Sequence, residues 1–364
     1  MDVAPPPSAP SPLAKPPLSL AWLRRGTAIA NPILGILAAL AIGAILIAGA
    51  GANVATAYGS LWQGAFGDVQ SIGETVSRSV PLLIVGLATA LSFRAGAFNI
   101  GGEGQLYMGA LASVWAGVTL GFLPGPLLIA VALLLGLLAG FVWGGLAGVM
   151  KSWRGVNEVI STILLNYIAI QLVSWLVHGP LQEARHSSPQ TDAIAPAAQL
   201  PVLAPHTSLH FGAVLALLLA LAVEVLLTRT TLGFAFRSVG FNPHASAYAG
   251  INVRRVTFLS LALSGAVAAW AGSIQILGVN YRLLETLSPG WGYTGIAVAL
   301  LGGLNPLGVV ISALFFGALA TGGDLMQAVI HVPVALVNIV EAIAVLFVVG
   351  SASVNLPGLR KPPA

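Results

Sequence analysis

Residues 126–149, PLLIAVALLLGLLAGFVWGGLAGV, contain no charged side chain, and Lys151 and Arg154 follow at once. A helix that crosses the hydrocarbon of a bilayer needs about 20 apolar residues, and this stretch supplies them. Outward from it the pattern repeats. Apolar segments fall at about 29–50, 78–93, 99–119, 126–149, 159–177, 209–228, 255–277, 292–304, 307–325 and 333–350. Only 7% of the 364 residues are charged and 57% are hydrophobic, whereas a globular domain carries about a quarter charged residues. The chain is therefore read as an all-α integral membrane protein with about ten transmembrane helices, some of them short or broken.

The charges orient it. With a cytoplasmic N-terminus, Lys15, Arg24, Arg25, Arg94, Lys151, Arg154, Arg229, Arg237, Arg254, Arg255, Arg360 and Lys361 fall inside, and only Arg78, Arg185 and Arg282 fall outside. Basic residues mark cytoplasmic loops, so both termini are expected in the cytoplasm. The opposite side receives Asp68, Glu74, Glu183, Asp192 and Glu285. Residues 1–27 read as a disordered Pro/Ala-rich cytoplasmic arm without the apolar core of a signal peptide. Residues 28–352 form the transmembrane domain, with a long cytoplasmic loop at 229–255, and 353–364 form a cytoplasmic tail.

Composition also excludes. Without cysteine there are no disulfides and no thiolate-bound metals. The net charge of +4 is accounted for by cytoplasmic loops rather than by nucleic acid. The three lysines, Lys15, Lys151 and Lys361, complete no phosphate-binding loop, so the chain is expected to bind no ATP of its own. No clustered histidines suggest a metal. His178, His186, His206 and His210 flank or lie in one outer loop and read as solvated.

Two expected spans look short, 81–93 and the Gly-broken 292–304. Such segments survive in a membrane only where their free backbone groups face protein or water, and in transporters they line the substrate path. A Gly pair is expected to open a small-residue helix at Gly101-Gly102 and again at Gly302-Gly303.

Residues 92–110, SFRAGAFNIGGEGQLYMGA, set five glycines beside Asn99, Glu103 and Gln105. Glycines here either open the backbone to a ligand or let helices pack closely. An intramembrane carboxylate is costly, which favours a functional Glu103. In a second stretch, Asn157, Ser161 and Asn166 share part of a face. Asn157-Glu158 also reads as a helix cap with a first-turn acid, while Asn166 lies deeper. The candidate substrate path is thus Asn99, Glu103, Gln105, Asn157 and Asn166, with Phe98, Tyr107 and Tyr167 able to stack on a ring or simply to pack.

In the cytoplasmic loop, Asn242-Pro243 starts a helix and Gly250 stops it. A helix over about 243–249 is too short to stand alone in water and must dock on something.

The pattern Gly233…Arg237…Gly240…Asn242…Ala245…Tyr248-Ala249-Gly250-Ile251 resembles the cytoplasmic loop of ABC importer permeases that take up simple sugars and nucleosides through a binding protein. Phe98-Asn99-Ile100-Gly101-x-Glu103-Gly104-Gln105 and Gly155-Val156-Asn157-Glu158-Val159-Ile160 resemble the nucleoside side of that branch. The run Ala245-Ser246-Ala247 departs from the Ala-Ala pair and charged residue that members often carry before the Tyr. The resemblance implies a multi-pass permease subunit of a bacterial inner membrane that is not itself an enzyme. It implies Gly233, Arg237, Gly240, Asn242, Ala245, Tyr248 and Gly250 as the coupling surface for a separate cytoplasmic ATPase. It also implies a second permease, paralogue or self, and an extracytoplasmic substrate-binding protein. Ribose-type sugars are the alternative cargo. An ion-coupled secondary transporter using Glu103, Glu224, Asp324 or Glu341 is the alternative mechanism, and no nucleophile–base pair supports a membrane enzyme.

Overall fold

The computed structural model describes residues 37–330 and, beyond them, residues 338, 339, 342, 343 and 346. The N-terminal arm, most of the expected span at 333–350 and the tail 353–364 lie outside the described residues.

Within residues 37–330, twelve α-helices follow in order: α1 (Leu37–Gly49), α2 (Val54–Phe66), α3 (Val69–Arg94), α4 (Gly102–Thr119), α5 (Gly125–Arg154), α6 (Glu158–Val177), α7 (Gly212–Arg229), α8 (Thr231–Phe241), α9 (Pro243–Tyr248), α10 (Val253–Gln275), α11 (Trp291–Leu301) and α12 (Pro306–Ile330). Six are long and apolar enough to cross a bilayer: α3, α5, α6, α7, α12, and α10 with its π-helical extension Ile276–Asn280.

Three expectations change. The segment at 81–93 is not a short span, because α3 runs unbroken for 26 residues through Pro81. Its polar start disguised it: Thr75 Oγ1 donates to the Ala65 carbonyl and Ser79 Oγ to the Thr75 carbonyl, so these hydroxyls need no water. The loop 229–255 holds two helices, since Arg237 and Gly240 lie on α8 ahead of the expected short helix. Gly302 and Gly303 close α11 rather than open a helix, and Asn305 then caps α12. The expectation that α11 is short holds, at 11 residues.

Helix α10 is the hub, packed on α5, α4 and α3. Lipid gives helices no hydrophobic incentive to associate, so close approach rests on small residues. Gly140 and Gly144 of α5 face Gly265 of α10, and Gly109 of α4 faces Ala269. A Cβ at any of these glycines would overlap the opposite backbone.

Candidate functional site

The chain leaves α3 at Arg94, turns through Gly96 in the left-handed region (φ +73°) and re-enters as α4. The five-residue elbow between Gly96 and Gly102 cannot satisfy its own backbone, and buried side chains do so instead. Asn99 Oδ1 accepts from the Gly101 N–H (2.8 Å) and from Gln105 Nε2 (3.1 Å). Its Nδ2 donates to Gln105 Oε1 (2.9 Å) and to Ser264 Oγ on α10 (2.8 Å). Ser264 in turn donates to the Ala88 carbonyl of α3 (2.7 Å). One amide thus joins three helices.

Two helix N-termini are capped from other helices. Asn166 on α6 accepts from the Gly104 N–H in the first turn of α4 (2.8 Å), and its Nδ2 donates to the Ile100 carbonyl (2.9 Å). Glu103 on α4 accepts from the Gly292 N–H in the first turn of α11 (2.6 Å). First-turn N–H groups have no intrahelical acceptor, and a carboxylate at that end also meets the positive pole of the helix. Asn99, Glu103, Gln105 and Asn166 are each at most 3% exposed. The structure therefore brings these four expected residues together as a buried polar knot that joins α3, α4, α6, α10 and α11. Asn157 stands apart as the cap of α6, accepting from the Val159 N–H (2.9 Å). Glu158 behind it pairs with Lys151 at 2.6 Å. Of the aromatics, Tyr107 is buried, whereas Phe98 and Tyr167 are exposed. Exposed Tyr293 on α11 reaches Asn166 Nδ2 with its hydroxyl (3.4 Å).

The second region is α8–α9. Thr230 caps α8 by accepting from the Gly233 N–H (3.0 Å), and Arg237 donates back to the Leu227 carbonyl. At Gly233 a Cβ would strike the carbonyl of Leu226. Asn242 caps α9 by accepting from the Ala245 N–H (3.0 Å), Pro243 occupies its first position, and Gly250 follows at φ +84°. The expected signals thus act as read. Phe241 and Tyr248 are almost fully exposed, and Phe234 and Phe241 line a groove of about 560 Å³ between α8 and α9. Free apolar side chains so placed mark an interaction surface.

The connection between α6 and α7 corrects one expectation. His210 is not solvated but 1% exposed, set against Ile274 and Gly278. Its Nδ1 accepts from the Gly212 N–H (3.1 Å), and Nε2 has no partner. Burial pushes its pKa down to about 4. Nearby, hydrogen bonds from Ser187 and Gln190 hold the Glu183 carboxyl below its usual range, with Arg282 at 3.5 Å. Ser264, Phe234 and Phe241 were missed in the sequence. Ser264 sits in a small-residue helix where nothing local marks its partner, 165 positions away in sequence, but the exposed phenylalanines are legible as apolar positions in a basic loop.

Residues 71–349 match the family model described as "Branched-chain amino acid transport system / permease component". The chain is 38% identical to the guanosine ABC transporter permease protein of Bacillus subtilis, over 89% of this chain and 94% of that one. It is 36% identical to the glucose ABC transporter permease protein of Haloferax volcanii, over 91% and 88%. It is 32% identical to a nucleoside ABC transporter permease protein of Lactococcus lactis, over 87% and 89%.

Proposed function

This chain belongs to the family of branched-chain amino acid transport system permease components, and we propose that it carries a nucleoside across the membrane. It is a multi-pass ABC importer permease of the nucleoside and sugar branch, a non-catalytic subunit, with ATP hydrolysis on a separate partner. The observation that carries the nucleoside reading is the 38% identity along 94% of a guanosine permease. The 36% identity to a glucose permease supports a simple sugar as the second reading.

In this proposal the cytoplasmic ATPase docks on Phe241, Tyr248 and the groove beside them, an exposed apolar face on two helices that isolated chains would not keep folded. A binding protein delivers cargo to the opposite end, and a second permease completes the path. Asn99, Glu103, Gln105 and Asn166 hold together the helices that border the path, and Asn157 fixes the start of α6. Phe98, Tyr167 and Tyr293 stand exposed beside them. The test is uptake of labelled guanosine, uridine, ribose and glucose by the complex reconstituted with its ATPase and binding protein. Guanosine or uridine uptake well above both sugars is the expected result. Uptake of glucose alone would establish the sugar reading in its place.

A further inference from the structure

At the end of α3 remote from Arg94, a cavity of about 270 Å³ lies among α3, α11 and α12. Its lining includes Arg78, Trp291, Thr294, Asp324 and Asn338. Arg78 Nε donates to Glu74 Oε1 and its Nη1 to Asp324 Oδ2, both at 2.6 Å. Ser208 Oγ donates to the second oxygen of Glu74 (2.6 Å). Glu74 is thereby engaged at both oxygens, whereas among the described residues Asp324 accepts from Arg78 alone, through one oxygen. Its side chain is 53% exposed.

A half-exposed carboxylate on a membrane helix is not tolerated against lipid, so this face meets water or another polar surface. Two carboxylates and one guanidinium leave the cluster with one net negative charge. It therefore suits a neutral ligand that donates hydrogen bonds and rejects an anion. The same cavity is lined by Thr294 and Asn338, whose hydroxyl and amide donate and accept, and by Trp291, whose ring is an apolar surface. Charged acceptor, hydroxyl and aromatic face together are the chemistry that recognises a hydroxylated ring. The volume lies near the lower end of small-molecule pockets, about 300 Å³, which limits the occupant to one small molecule.

We propose that this cavity binds the cargo on its way through the membrane, Asp324 accepting from a vicinal diol and Trp291 packing on the ring face. The site rests on the reading of the chain as a permease for nucleosides, and it excludes the phosphorylated forms of the same molecules.

The test is equilibrium binding of a tritiated ribonucleoside to the purified permease–ATPase complex in nanodiscs. The same measurement uses its 2′,3′-dideoxy analogue and its 5′-monophosphate. Asp324→Asn and Trp291→Ala should each weaken ribonucleoside binding about tenfold. Removing the diol should weaken binding to the wild type equally, and to Asp324→Asn no further. Thr294→Val, which leaves the ion cluster intact, should weaken binding severalfold. Wild-type ribonucleoside binding in all three variants, or equal binding of the monophosphate, overturns the site. Variants that keep binding but lose the second permease also overturn it, assigning the cluster to assembly. If the wild type instead binds ribose or glucose, and Asp324→Asn weakens that binding, the diol site stands while the nucleoside reading fails.

Discussion

Gly240 of α8 lies directly against the carbonyl oxygen of Arg94, the last residue of α3, with its Cα also beside Gly96. No side chain fits between them. Gly96 begins the turn whose next polar residue is Asn99, so α8 touches the elbow that the buried amides hold together. A displacement of α8 would meet the elbow at this contact.

Gly240→Val should therefore separate hydrolysis from transport. Overpacking costs about 1–3 kcal/mol, so stimulation of the ATPase by loaded binding protein should fall about tenfold. Tyr248→Ala, on the exposed face, should instead release the ATPase during purification. Full stimulation in the first variant and full retention in the second would remove α8–α9 as the coupling element.

Asn166→Ala strips partners from the Gly104 N–H and the Ile100 carbonyl at once. Each buried unpaired group costs about 1–3 kcal/mol, so the midpoint of thermal unfolding in detergent should drop by several degrees. An unchanged midpoint would show that these backbone groups find other partners.

At Glu103 the acceptor matters more than the charge. Glu103→Gln keeps an oxygen for the Gly292 N–H and should retain most uptake and thermal stability. Glu103→Ala leaves the buried Gly292 N–H without its acceptor, and should lower both. Equal loss in the two variants would point to the carboxylate charge itself, as an ion-coupled mechanism requires.

His210 sets a pH dependence. It titrates near 4 in the folded chain and near 6.5 when unfolded, so the unfolded state binds more protons between those values. Its stabilising contribution is full above about pH 6.5 and is lost as pH falls through 4, up to about 3 kcal/mol in all. Thermal midpoints measured from pH 7.5 to 4.5 should decline more steeply in the wild type than in His210→Gln. Parallel declines would assign the acid sensitivity to other groups.

Much of this was legible in sequence. The hydropathy of 126–149 and its companions gives the class, and Asn242, Pro243 and Gly250 mark α9 nearly to the residue because caps act locally. Local signals fail where a partner is distant. Asn99, Gln105 and Asn166 stand out as polar residues in apolar surroundings, yet nothing nearby reveals that Asn99 bonds Gln105 and Ser264 while Asn166 bonds the backbone of Gly104 and Ile100. Hydropathy likewise misses the first half of α3, whose hydroxyls bond to backbone rather than to water. The basic, Gly-bearing segment 231–241 reads as loop because α8 is amphipathic and covers only one face, with Phe236 buried and Phe241 exposed.

Hydrolysis of ATP by a partner subunit drives cargo through this permease. Guanosine uptake into proteoliposomes holding the permease complex, with binding protein outside and ATP inside, tests it most directly. Uptake should require ATP and persist when an uncoupler collapses the proton gradient. Uptake that needs no ATP and vanishes with the uncoupler would contradict the account and identify an ion-coupled carrier.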